Sequence, residues 1–141
     1  FSVTAAGTLA VTFAENLATN LTPQWWLATN GWTGDFDAAA TNDVDGDGVP
    51  AWLEYRADTI PTDKSSVLRI TNIVWESGNH WVGWTGGRQA WQFLEYADDL
   101  LDTSAVWGVL WSNQPPNATS TNFMDSTTTN ARRFYRIRSC R

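Results

Sequence analysis

The spacing of acids between residues 43 and 54 constrains this chain more than any other feature. The stretch reads Asp43-Val44-Asp45-Gly46-Asp47-Gly48-Val49-Pro50-Ala51-Trp52-Leu53-Glu54, with Asp at positions 1, 3 and 5, Gly at position 6 and Glu at position 12 of a twelve-residue window. Alternate residues of a tight loop project three carboxylates to one side, and Gly48 takes the sharp turn. The Val49 carbonyl then supplies a neutral oxygen, and Glu54 closes bidentately from a following helix. Position 9 is Ala51, which leaves that vertex to water or to a distant oxygen. An oxygen-only donor set with no His or Cys nearby selects Ca2+ over zinc or copper, and a crowded, flexible cage disfavours magnesium. The expected metal ligands are Asp43, Asp45, Asp47, Val49 and Glu54. Asp37, Asp58 and Asp63 are candidates for extra ligands, but the favoured expectation for each is a helix cap or turn residue.

Charge is concentrated in the same place. The 141 residues carry 15 acidic and 9 basic side chains, a net charge of −6. Between residues 35 and 63 eight acids face Arg56 alone, so this segment holds a charge of −7 and the remainder +1. Crowded carboxylates repel unless a cation sits among them. A nucleic-acid partner is excluded as an expectation, because neutralising a phosphate backbone takes clustered Lys and Arg on a basic face. No apolar run approaches the roughly 18 to 20 residues that span a bilayer, so no membrane span is expected.

Along the chain, residues 1–14 alternate strictly. Phe1, Val3, Leu9, Val11 and Phe13 fall on one side and Ser2, Thr4, Thr8 and Thr12 on the other, the pattern of an amphipathic strand. Thr22 is expected to cap a short helix at 24–29 that stops at Asn30-Gly31, with further helical turns at 35–40 and 50–57. From residue 67 the pattern changes to short β-prone runs at 67–76, 80–84, 89–97, 105–111, 119–124 and 133–138, with Gly86-Gly87 placed as a hairpin turn. The expected fold is mainly β: a small Ig-like or fibronectin-like β-sandwich (67–141), preceded by a helical calcium-binding segment (21–66) and an extended strand (1–20) available for donation.

The stretch Thr22-Pro-Gln-Trp-Trp-Leu, followed by Asp35-Phe-Asp-Ala-Ala-Ala, the loop Asp43 to Tyr55 and Asp58-Thr-Ile-Pro-Thr-Asp63, resembles the EF-hand-like, thrombospondin type 3 or dockerin-type calcium segment of secreted bacterial proteins. It also resembles segments near the C-termini of large exported proteins of the Verrucomicrobia and related phyla. In those a small β-domain follows, with a strand of the type Phe134-Tyr-Arg-Ile-Arg138. The resemblance covers about residues 21–141. It implies calcium on Asp43, Asp45, Asp47, Val49 and Glu54, and it implies export. Dockerins carry two such loops and thrombospondin type 3 arrays are repetitive, whereas this chain has one loop, which argues against cohesin docking.

Little else in the chain suits catalysis. His80 is the only His, and Ser-His-Asp order, a nucleophile elbow and a phosphate-binding glycine loop are all missing. Glu95, Asp98, Asp99 and Asp102 could pair as acid and base in a glycosidase, but they read as a solvated turn. No enzyme is expected. Ten Trp exceed what so small a core requires, and exposed ones could stack on sugars or anchor protein contacts. Arg132, Arg133, Arg136, Arg138 and Arg141 form the cationic cluster, suited either to the acidic face of another copy or to guarding an edge strand. Cys140 alone makes no internal disulfide. Phe1 in place of Met fits processing on export.

The resulting expectation is a secreted, extracellular or cell-surface calcium-binding structural protein. It would assemble with copies of itself into a filament or tubule through exchange of the strand bearing Phe1, Val3, Leu9, Val11 and Phe13. The alternative is a calcium-stabilised, polysaccharide-binding or accessory module of a larger exported protein.

Overall fold

The computed structural model of the chain describes residues 14–100, 106–127 and 132–141. The segment with Phe1, Val3, Leu9, Val11 and Phe13 lies outside the described residues, as does Asp102.

The acidic half of the chain folds as short helices on a small core. Strands β1 (Leu17–Ala18) and β2 (Thr22–Pro23) pair antiparallel around a 3-10 turn at Thr19–Leu21 and lead into α1 (Gln24–Thr29). Thr22 is not the cap expected from the sequence. Pairing with β1 buries it, its hydroxyl donates to the Thr19 carbonyl at 2.9 Å, and Pro23 occupies the cap position without a side-chain bond. Helix α2 (Phe36–Thr41) is capped by Asp35, whose Oδ1 accepts from the amides of Asp37 and Ala38 at 3.1 and 3.0 Å. This satisfies two of the amides that a helix start leaves orphaned. Helix α3 (Ala51–Ala57) begins after Pro50.

Trp26, Leu27, Ala39, Ala40 and Ala51 form the buried core between these helices, edged by Trp32, Phe36 and Tyr55. Three alanines let the short helices approach closely. The fully buried Leu27 contributes about 1.5–3 kcal/mol of hydrophobic stabilisation.

The rest of the chain is β. Strands β3 (Arg69–Glu76), β4 (Asn79–Thr85) and β7 (Ser120–Asp125) form one antiparallel sheet in the order β3-β4-β7. Strands β5 (Trp91–Ala97), β6 (Gly108–Asn113) and β8 (Phe134–Cys140) form another, in the order β6-β5-β8. Val82 and Trp84 from the first sheet meet Leu94 from the second, with Ile70, Leu110, Trp111, Phe123, Tyr135 and Ile137 packed around them. The two sheets therefore face each other across one apolar core. Trp84 keeps its polar edge satisfied there: its Nε1 donates to Gln92 Oε1 at 2.8 Å, and Gln92 Nε2 donates to the Gly87 carbonyl at 2.8 Å.

Among the described residues the chain is mainly β, and no helix is long and apolar enough to cross a membrane. Gly86-Gly87 is not the hairpin turn expected. Strand β4 already has β3 and β7 on its two sides, so after β4 the chain must cross to the other sheet. The two-residue hairpin turn is Ser77-Gly78, both in the left-handed region, between Glu76 and its partner Asn79.

The crossover is also the joint between the two cores. Asp58, the left-handed C-cap of α3, accepts from the amides of Arg88 and Gln89 at 3.0 and 2.7 Å through Oδ2, and its Oδ1 lies 3.2 Å from Arg141. A Cβ on Gly87 would stand 2.1 Å from the Asp58 carbonyl oxygen, so only glycine permits this approach.

Candidate metal centre

The loop between α2 and α3 is closed at its base by the Ala51 amide, which donates to the Asn42 carbonyl at 3.0 Å. Within it, Asp45 and Asp47 each hold the loop backbone with one carboxylate oxygen, and Asp43 does so with both. Asp43 Oδ1 accepts from the Gly46 amide and Oδ2 from the Gly48 amide, both at 2.9 Å. Asp45 Oδ1 accepts from the Asp47 amide at 3.1 Å, and Asp47 Oδ1 from the Val49 amide at 2.7 Å. These turns need a left-handed backbone, which Gly46 (φ 76°) and Gly48 (φ 92°) supply without steric cost. The sequence pattern identified Gly48 as the sharp turn and missed Gly46.

The same bonds aim the remaining oxygens at one another. One carboxylate oxygen from each of Asp43, Asp45 and Asp47 lies within 4.8 Å of the other two. Asp45 Oδ2 and Asp47 Oδ2 are buried with no hydrogen-bond partner. A buried carboxylate oxygen without a donor is costly unless a cation or water meets it.

Glu54 approaches from α3 and is 1% exposed. Burial, then repulsion by Asp45, Asp47 and Asp43, pushes its carboxyl up to about 8, against a weaker bond donated by the Thr59 hydroxyl at 3.4 Å. Three carboxylates thus converge, and their charge reaches the buried Glu54 carboxyl beside them. That donor set, all oxygen and with no nitrogen or sulfur, fits a hard divalent cation. Val49, the expected carbonyl ligand, sits where the loop enters α3, and its side chain lines an apolar pocket on the far side. Ala51, at the vertex without a donor, is fully buried in the helical core.

The four other acids of the segment are engaged elsewhere, Asp35 as the cap of α2. Asp37 accepts from the amide and hydroxyl of Thr19 at 2.7 and 2.9 Å. Asp58 is the joint already described. Asp63 accepts from the Ser65 hydroxyl at 2.6 Å and the Ser65 amide at 3.0 Å, which together hold its carboxyl below the usual range.

A second cluster was not legible locally, because its members come together only when the strands pair and the sheets stack. Asp125 is fully buried. Its Oδ1 accepts from Thr127, and its Oδ2 accepts from Arg133 at 2.8 Å and from the Tyr135 hydroxyl at 2.9 Å. Having donated to Asp125, the Tyr135 oxygen is left to accept from His80 Nδ1 at 2.9 Å, across a sequence separation of 55 residues. Burial pushes the Asp125 carboxyl up, but the bonds from Thr127, Arg133 and Tyr135 outweigh it and hold the group below its ordinary value. His80, the only His, is here a strut between the sheets.

Two of the glycosidase-like carboxylates, Glu95 and Asp98, are likewise committed. Glu95 is clamped by Arg136 at 2.7 Å and Arg138 at 2.9 Å, and Asp98 by Arg133 at 2.9 Å. Arg133, Arg136, Arg138 and Arg141 all pair with acids of the same chain. Arg136 and Arg138 stand on β8, which is an edge strand. Of the ten Trp, Trp26 and Trp84 are core, while Trp25, Trp75, Trp81 and Trp91 are exposed.

In comparisons with protein-family models, curated proteins and solved structures, nothing matches this chain, so any functional reading rests on its own residues.

Proposed function

We propose that this chain is a secreted, non-enzymatic calcium-binding structural protein of the extracellular space. In this reading calcium clamps an EF-hand-like loop against a small Ig-like or fibronectin-like sandwich. Copies assemble into a filament or tubule by exchange of the N-terminal strand. The observation that carries the calcium part is the convergence of Asp43, Asp45 and Asp47 within 4.8 Å, with two buried, partnerless carboxylate oxygens. Glu54 would close the site from α3, and the Val49 carbonyl would complete it. The bound ion would neutralise four carboxyl groups that otherwise repel. The assembly part is supported by the strict alternation of Phe1, Val3, Leu9, Val11 and Phe13 against Ser and Thr. Single-loop extracellular modules bind calcium at roughly 10⁻⁴ to 10⁻³ M, so the site would fill outside the cell and stay empty within.

Isothermal titration of the purified chain with calcium tests the first part. One ion per chain with that range of affinity is expected, lost in Asp45→Asn. Absence of binding heat at millimolar calcium would remove the proposal's foundation.

A second reading, a polysaccharide-binding module with calcium purely structural, draws on the outer face of the β3-β4-β7 sheet. There the exposed Trp81 stands beside Gly83, over which the side-chain amides of Asn72 and Asn122 close.

A further inference from the structure

The two-sheet core is exposed along the β3 edge. In β4, Val82 points into the core and is completely buried. Its cross-strand partner Ile73 on β3 faces the same way, yet it is 51% exposed. Trp75, two residues on and on the same face, is 58% exposed, and Val74 between them is also exposed. Three consecutive exposed apolar residues in a strand mean that both of its faces lack cover.

Strand β3 is an edge strand, so one row of its backbone groups has no partner among the described residues. Edge strands are ordinarily guarded by charge or proline. The edge strand β8 carries Arg136 and Arg138, whereas β3 between Ile70 and Trp75 carries no charge and no proline.

Strand β8 contacts β3, and Trp75, His80 and Tyr135 are linked ring to ring, with centroids 4.6 and 5.6 Å apart. Just before β3, Leu68 lines a pocket of about 330 Å³ together with Val49, Leu53 and Ile137 among others. An exposed apolar strip thus marks an unguarded strand edge, and the pocket near its start is built in part from the helix that follows the acidic loop.

We infer that this edge, with the pocket near its start, is an acceptor slot for residues 1–13 of a second copy of the chain, which adds to the β3 edge and places alternate apolar side chains over Ile73 and Trp75. The occupant is argued from complementarity. A strand filling the slot needs apolar residues at every second position on its core side and polar residues on the other, and Phe1, Val3, Leu9, Val11 and Phe13 against Ser2, Thr4, Thr8 and Thr12 provide both. This inference rests on the self-assembly reading above and assigns its missing half. It also gives calcium a route to assembly, since Val49 and Leu53 line the pocket near its start.

The test is hydrogen–deuterium exchange with sedimentation velocity on the full chain in millimolar calcium. The native sequence is compared with Ile73→Lys, an exposed site whose change leaves the core intact, and with Val3→Asp/Val11→Asp. Native assemblies with slowed exchange at 69–76, and both variants monomeric with β3 exchanging freely, are the expected result. Assembly that persists in Ile73→Lys, with new protection on β6 or β7 instead, would overturn the acceptor site and leave self-assembly standing. A native monomer with β3 protected relative to Val3→Asp/Val11→Asp would mean the segment folds onto its own sheet and would overturn exchange between copies. A native monomer with β3 unprotected would overturn both.

Discussion

Each carboxylate in this chain does work that its neighbours define. Asp45 and Asp47 use one oxygen to hold the loop and leave the other buried and bare. Asp45→Asn keeps the size of the side chain but removes a charge from the ligand set, and calcium affinity should fall by about tenfold or more, a loss of at least about 1.4 kcal/mol, in a calorimetric titration. Asp125 behaves differently because its partners are protein donors. Its folded carboxyl lies below the ordinary 3.8 and that of Glu95 below 4.5. A depressed folded value means that the unfolded chain binds protons first as the solution is acidified. The stability contributed by these two groups is therefore complete above the ordinary carboxylate range and lost as pH falls below it. Urea unfolding followed from neutral pH downward should show this loss, with a shallower slope in Asp125→Asn. The cluster of Asp43, Asp45 and Asp47 was readable in the sequence because alternate residues of one short loop carry it. The Asp125, Arg133, Tyr135 and His80 cluster was not, because β4–β7 pairing sets His80 beside Asp125 and only sheet stacking then brings Tyr135 to them.

Among the elements, the short helices were legible from prolines and Asn30-Gly31, while the Asp35 cap was not singled out. The strands were legible from β-prone runs between turn residues, and the six long ones fall within a few residues of their expected places. What the pattern could not give was pairing. A Gly-Gly between two strands looks the same whether the strands are hairpin partners or lie in opposite sheets, and here it marks the crossover. That crossover makes a sharp prediction. Gly87→Ala would drive a Cβ into the Asp58 and Ala57 carbonyls, 2.1 and 2.3 Å away, and should cost about 1–3 kcal/mol by overpacking, measured as a lowered denaturation midpoint. Asp58→Ala frees the Arg88 and Gln89 amides and Arg141 at once, and should loosen the helical segment from the sheets, seen as faster exchange in α3.

At the scale of the molecule, the acidic loop leads into α3, and α3 carries the Asp58 joint at its end and lines the pocket near the start of β3. Calcium in the loop would fix the position of α3, and with it that wall of the pocket. With a dissociation constant of about 10⁻⁴ M, millimolar calcium would add roughly 1.4 kcal/mol to the folded state. Chelation should therefore lower the melting temperature by a few degrees, an effect Asp45→Asn should abolish. The measurement that bears most directly on the whole account is negative-stain electron microscopy of the purified chain in millimolar calcium and again after chelation. Ordered filaments or tubules that fray when calcium is withdrawn are the predicted result. Single, monodisperse particles in both conditions would contradict it.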